Sequence, residues 1–224
     1  MSFSSSGFSF SETVVAQLRD YPEWHKGRGR YAIWMVPVDC PRVLGYITEV
    51  TEQLADLLHP TRRQPHLTVF VCGFEQPGRV NDDDFTPGQL QRQLEALRGV
   101  RQSAGSLRVG RPDSFASAAY LSVVDPVGHL DDWRGALAGG AAEIRFGPYV
   151  PHITLGLYRQ QVSAGALRER LARVSAPPEL NMSVGRLEYA SYSSMDMFGP
   201  LTCQKVVPLQ GGTSQRGRSG ALWW

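Results

Sequence analysis

Cysteine is scarce: Cys40, Cys72 and Cys203 are the three in 224 residues. An odd number at wide spacing supports neither a disulfide framework nor a zinc pattern. A reducing cytoplasm is the compartment this predicts. No run of about 18 apolar residues occurs, so no membrane-spanning helix is expected. The opening Met1-Ser2-Phe3-Ser4-Ser5-Ser6 lacks the basic region and apolar core of a secretory signal. An excess of one charge is also missing, with 23 Lys and Arg against 21 Asp and Glu. That balance tolerates an anionic substrate but carries no basic stripe for bulk nucleic-acid binding. Histidine is rare at five residues. No two of them have i, i+4 spacing and no carboxylate cluster joins them, so neither a metal nor another cofactor is expected.

Two of those histidines share their surroundings. Pro65-His66-Leu67-Thr68-Val69 and Pro151-His152-Ile153-Thr154-Leu155 follow one pattern, 86 residues apart. Both lie in apolar runs that favour β-structure. Along a strand, side chains i and i+2 share a face. Each motif therefore presents an imidazole beside a hydroxyl. One His-x-Thr in a strand reads as an ordinary half-buried pair. Two copies matched in their flanks point instead to a shared site.

The rest of the chain supports a duplicated pattern. Residues 1–29 read as an N-terminal extension, with a short helix from Glu12 to Tyr21 capped by Ser11. Residues 30–209 read as one bilobal domain. It starts with a buried strand at Tyr31–Val38 and an amphipathic helix at Val43–Leu58. The first motif strand, Pro65–Phe74, follows. Thr86-Pro87 begins a helix running to Leu97. Strands at Ser106–Arg111 and Ala118–Val124, a helix from Leu130 to about Ala142, the second motif strand Tyr149–Tyr158 and a helix at Ala164–Val174 come next. Leu180–Ser191 and Leu201–Leu209 read as a closing hairpin. Residues 210–224, rich in Gly, Ser and Arg, read as a disordered tail. Mixed strands and helices in two similar halves predict an α+β or α/β two-lobed body.

A free imidazole has a pKa of about 6.5, so both protonation states coexist near neutrality. Two imidazoles facing one phosphorus could act as base and acid, without a metal. Threonine hydroxyls beside them could donate to the non-bridging oxygens.

These paired motifs resemble the two-histidine (2H) phosphoesterase superfamily, and within it the bacterial 2′-5′ RNA ligase and RNA 2′,3′-cyclic phosphodiesterase group. The resemblance spans about residues 30–209, including the leading strand Arg30-Tyr31-Ala32-Ile33. It implies a pseudo-symmetric bilobal α+β fold, with two antiparallel-rich sheets flanking a cleft and helices outside. It also implies His66, Thr68, His152 and Thr154 as the catalytic tetrad, with a 2′,3′-cyclic phosphate or related 2′-5′ or cyclic linkage as substrate. Relatives often carry an Arg soon after the second motif; here the nearest is Arg159.

Three aromatics are candidates for base stacking: Phe70, by its parity with His66 and Thr68, and Tyr149 and Phe115, by their places near strand ends. Arg62-Arg63, just before the first motif, could attract phosphate but reads more simply as a solvated pair. The expected partner is an RNA end or small cyclic nucleotide, not a membrane, and a monomer is the default. Two alternatives stay open: a nucleotide-binding module without turnover, and a 2′-5′ RNA ligase running the reaction in reverse.

Overall fold

The computed structural model describes residues 10–100, 105–145, 147–175 and 179–209. Strand β1 (Arg30–Pro37) forms on the apolar run, with 31–36 all buried, as a strand covered on both faces must be. Helix α2 (Pro41–Gln53) opens on a proline at its first turn and buries Val43, Tyr46, Ile47 and Val50, one stripe at helical spacing. Strand β2 (His66–Glu75) carries the first motif, and the two-residue β3 (Asp84–Phe85) pairs parallel to its end. Helix α3 (Pro87–Gly99) begins at a capping box. Thr86 N donates to Gln89 Oε1 (2.9 Å) and Gln89 N donates to Thr86 Oγ1 (3.4 Å), satisfying two backbone donors the helix leaves open.

The second half follows with β4 (Gly105–Ser114), β5 (Ala118–Val124), helix α4 (His129–Gly140), β6 (His152–Leu157) and helix α5 (Ala164–Ala172). Then come β7 (Leu180–Val184), β8 (Arg186–Ser193) and β9 (Thr202–Pro208). The strands run in the order β7-β4-β5-β6-β2-β1-β8-β9, with β3 beside β2. Every pairing except β2 with β3 is antiparallel. The halves β7-β4-β5-β6 and β2-β1-β8-β9 meet at one residue pair, Leu67 with Ile153.

The stretch expected as one strand of a closing hairpin is two strands in opposite halves. Leu180–Val184 pairs with β4, and Arg186–Ser193 with β1 and β9. Only Gly185 separates them. The outer edge of one half and the interior of the other are thus within a residue of each other, which forces the sheet to curl. The hairpin pairing holds only for β8 and β9.

The expected helix over Glu12–Tyr21 is also absent. Residues 10–20 form an extended arm, followed by a four-residue helix α1 (Pro22–His25). The arm's amides bond across the fold instead: Thr13 N donates to Val162 O (2.9 Å), Val14 N to Ala116 O (2.7 Å) and Ala16 N to Tyr158 O (2.8 Å). Those bonds replace the i→i−4 bonds a helix would make, and β-branched Thr13, Val14 and Val15 suit the extended form. The expected tail, 210–224, lies outside the described residues.

One large cluster joins Leu67, Val69, Ile153 and Leu155 of the motif strands to Leu54, Leu58, Leu97, Leu137 and Leu167. Buried Gln93 ties α3 to both neighbours: it accepts from Trp34 Nε1 (2.8 Å) and donates to Leu137 O (3.1 Å). A Cβ on Gly140 would lie 2.7 Å from Gln93 Cγ, so that close approach needs glycine. Among the described residues no helix is long and apolar enough to cross a membrane.

Leu67 is fully buried at the seam between the halves. Leu67→Ala should cost about 3 kcal/mol in urea unfolding, the usual range for an aliphatic core truncation. A loss below ~1 kcal/mol would show that the seam is not a packed core position.

Candidate active site

The Leu67–Ile153 pair sits at the centre of both motifs. Antiparallel pairing through it sets His66 opposite Thr154 and Thr68 opposite His152. Residues facing each other across such a ladder lie about 5 Å apart, and diagonal ones about 7–8 Å. The two imidazoles are one such diagonal and the two hydroxyls the other. Alternation turns Leu67 and Ile153 into the core and the four polar side chains to the opposite, curled-in face.

Both strands then break alternation at the same place. The β1–β2 register skips a residue between Thr68 and Phe70, and the β5–β6 register skips one between Thr154 and Gly156. Each is a β-bulge one residue past the threonine, a feature that concentrates at functional sites. Burial repeats accordingly over the first six residues of each strand: positions 66, 68 and 71 are the less buried ones in the first, and 152, 154 and 157 in the second.

The bulge overturns one expectation. Phe70 does not share the face of His66 and Thr68. It is 1% exposed, inside the main core, because the extra residue flips the parity that places it. Gly156 is its counterpart in the other strand, where a Cβ would meet Leu58 at 3.2 Å.

Each imidazole is held by its own chain. His66 Nδ1 bonds Gln64 O (2.8 Å) and His152 Nδ1 bonds Val150 O (2.7 Å). A carbonyl only accepts, so Nδ1 carries the hydrogen in both rings. Nε2, across each ring, is left to take a proton. Burial pushes the pKa of His66 down to about 4, with smaller downward contributions from Arg63 and His152. Burial also lowers that of His152, with Arg145 adding to the effect. Both imidazoles are therefore neutral in the empty site at neutral pH.

A cavity of about 230 Å³ is lined by His66, Thr68 and Thr154, with Arg63, Leu157, Tyr192, Met197 and Phe198 around them. His152 stands to one side. Phe115 meets its ring edge-on (4.9 Å between centroids) and stacks on Tyr120 (4.3 Å), which also touches it (5.3 Å). Phe115 thus borders the site. Tyr149 has a different occupation: its hydroxyl donates to Thr68 O (2.9 Å), and Arg134 lies 3.8 Å over its ring. It braces the first motif strand, and the ring face under Arg134 is closed to a base.

Arg63, expected as half of a solvated pair, lines the cavity instead. Its guanidinium lies 3.8 Å from the Tyr192 ring centroid and donates to Met197 O (2.7 Å) and Gly199 O (3.2 Å). A position three residues before His66 was a signal. That it is held in the cavity depends on β8 and the 197–199 loop, more than 120 residues away. The other histidines lie elsewhere. His25 bonds Asp20, His59 bonds Ala16 O, and His129 stacks on Trp133. Among the described residues no group of three or more His, Cys, Asp or Glu side chains is placed to hold a metal ion.

These shifts have a definite sign. The unfolded chain binds a proton on residue 66 below about 6.5, whereas the folded chain does so only below about 4. Between those values the unfolded state holds more protons, so this residue makes stability rise with pH. His66→Gln should flatten that part of the stability curve. Imidazole NMR should place the His66 titration near 4 in the free protein and move it upward with inorganic phosphate. A free-protein value near 6.5 would contradict the desolvated site.

The 2′-5′ RNA ligase superfamily model matches residues 37–195. Several solved structures share the fold. The chain is similar to E. coli LigT in its apo form, at 13% identity and a TM-score of 0.54, and to LigT complexed with 3′-AMP, at 14% and 0.53. Each comparison covers 81% of this chain and 98% of LigT. It is also similar to TT0787 of Thermus thermophilus, at 13% and 0.51, covering 82% of this chain and all of that one. No curated protein matches the chain by sequence. With the family model matching well over half its length and the LigT-like curled sheet in place, the chain belongs to the 2′-5′ RNA ligase superfamily of 2H phosphoesterases.

Proposed function

We propose that this protein hydrolyses a 2′,3′-cyclic phosphate, or a related 2′-5′ or cyclic nucleotide linkage, by acid–base catalysis between His66 and His152. The observation that carries this reading is the diagonal of two Nε2-available imidazoles, with Thr68 and Thr154 on the crossing diagonal. A phosphate over the seam has one imidazole on each side. One imidazole takes a proton from water as its oxygen bonds to phosphorus. The other gives a proton to the ribose oxygen as the phosphorus–oxygen bond breaks. The product is a phosphomonoester beside a free hydroxyl. The threonine hydroxyls donate to the non-bridging oxygens, whose charge must be held through the transition state.

Depressed imidazoles give this scheme a particular order. The acid must be charged, yet the empty site favours two neutral rings. An incoming phosphate anion opposes that desolvation and favours imidazolium. The catalytic proton is thus taken up with the substrate. Arg63, already fixed at the cavity wall, adds a cation for the anion to approach.

The test is turnover of 2′,3′-cyclic nucleotides in EDTA by wild type and the His66→Ala and His152→Ala variants. Each variant should lose roughly 10²–10⁴-fold in rate. Unchanged rates in both would reject the assignment. The kcat/KM profile should be bell-shaped, with its maximum on the acid side of the ordinary imidazole value of ~6.5, because both free-site values are lowered. A maximum well above neutrality would contradict the proton-uptake order.

A further inference from the structure

The extended arm at residues 10–20 reaches both rims of the candidate site. Its anchor is Thr13, which is 2% exposed. There Oγ1 donates to Gln160 O (3.1 Å) and accepts from Val162 N (2.9 Å). The next residue, Val14, donates to Ala116 O (2.7 Å), beside Phe115, whose ring meets His152. Two residues on, Ala16 has both backbone groups engaged. Its N–H donates to Tyr158 O (2.8 Å), and its carbonyl accepts from His59 Nε2 (2.8 Å).

His59 carries that contact to the cavity beside His66. Its N–H donates to Leu157 O (2.9 Å), and its ring meets Phe198 edge-on, with 5.2 Å between centroids. Leu157 and Phe198 both line the cavity, together with His66, Thr68 and Thr154. The backbone at Phe198 is held separately. Arg62 N (3.0 Å) and Thr61 Oγ1 (3.3 Å) both donate to Phe198 O, and Arg63 holds the carbonyls on either side. Carbonyl bonds fix the backbone but leave the side chain its rotamers. An edge contact from His59 selects among them, in the geometry that aromatic pairs favour. The arm and Phe198 flank residues 37–195, the span matched to the superfamily, so the superfamily pattern does not account for this wall.

We propose that the arm and His59 clamp the Phe198 ring as a wall for the substrate's nucleoside, and that His59 is a positioning residue for nucleoside binding rather than for the chemistry. This rests on the nucleotide substrate proposed above and adds what sets its fit. With the phosphate over the seam, the nucleoside extends into the cavity and packs against Phe198. His59 exchanges no proton with substrate, because its Nε2 hydrogen is committed to Ala16 O. The clamp acts on affinity, and the tetrad acts on the bond.

The test measures equilibrium binding of a 3′-mononucleotide and of inorganic phosphate, and KM and kcat for a 2′,3′-cyclic mononucleotide. It uses wild type, His59→Phe, Phe198→Ala and the double variant. Both residues are half-buried, so the substitutions leave the core intact. Phe198→Ala should weaken mononucleotide binding about tenfold, as expected for loss of one stacked base. His59→Phe keeps a ring beside Phe198 but cannot donate to Ala16 O, and should weaken binding several-fold. In both, the loss should appear in KM rather than kcat, and phosphate binding should match wild type. A smaller folded fraction would instead lower kcat at constant KM. Because His59 acts through Phe198, adding His59→Phe to Phe198→Ala should cost nothing further. Unchanged mononucleotide binding in either single variant, or a double variant weaker than Phe198→Ala alone, would overturn the clamp. If wild type cleaves no cyclic nucleotide but binding follows this pattern, the clamp stands and the reaction falls. Turnover with an unaltered KM in both single variants keeps the reaction and removes the clamp.

Discussion

One cross-strand contact organises the molecule. Leu67 and Ile153 join two four-strand halves through a single antiparallel step, and each lies between a histidine and a threonine. Antiparallel geometry then puts imidazole opposite hydroxyl twice, related by a local two-fold. Burying the two aliphatic side chains on one face leaves the four polar ones no choice but the other. Core packing and the candidate chemistry are two faces of the same pair of strands.

The same burial that stabilises the seam sets its electrostatics. Imidazoles backed by a sheet and ringed by Phe115, Tyr120, Tyr192 and Phe198 are poorly hydrated, so the charged form is disfavoured. Carbonyls at Gln64 and Val150 keep both rings in one tautomer. The site is thus poised rather than charged, and the proposed phosphate substrate would complete it. The environment around the two-fold is not symmetric. On one side the strands part to leave the Arg63 cavity. On the other, Tyr149 and Arg134 take up the Thr68 and Val69 carbonyls and close the gap.

Several parts of this arrangement could be read from residues alone. The repeated Pro-His-x-Thr segments announced two strands with matched faces. The β1 strand emerged near its expected bounds because its apolar run is strong, and α2 formed on its apolar stripe but ends at Gln53 rather than Leu58. Phe70 was misplaced because parity counts only while a strand stays regular, and the bulge after Thr68 is a tertiary adjustment to β1 and the core. The arm at residues 10–20 was misread for a related reason: its backbone partners, Ala116, Tyr158 and Val162, lie over a hundred residues away.

By itself the sequence determined the chemistry-bearing residue types, their spacing and the duplicated mix of strands and helices, since these follow from local pattern. Tertiary structure alone decided that β7 and β8 belong to opposite halves, and that Arg63 stacks on Tyr192 at the cavity wall. Each of those depends on contacts between segments far apart along the chain. Such contacts are set by how the sheet curls and where it bulges, and no window of neighbouring residues encodes that.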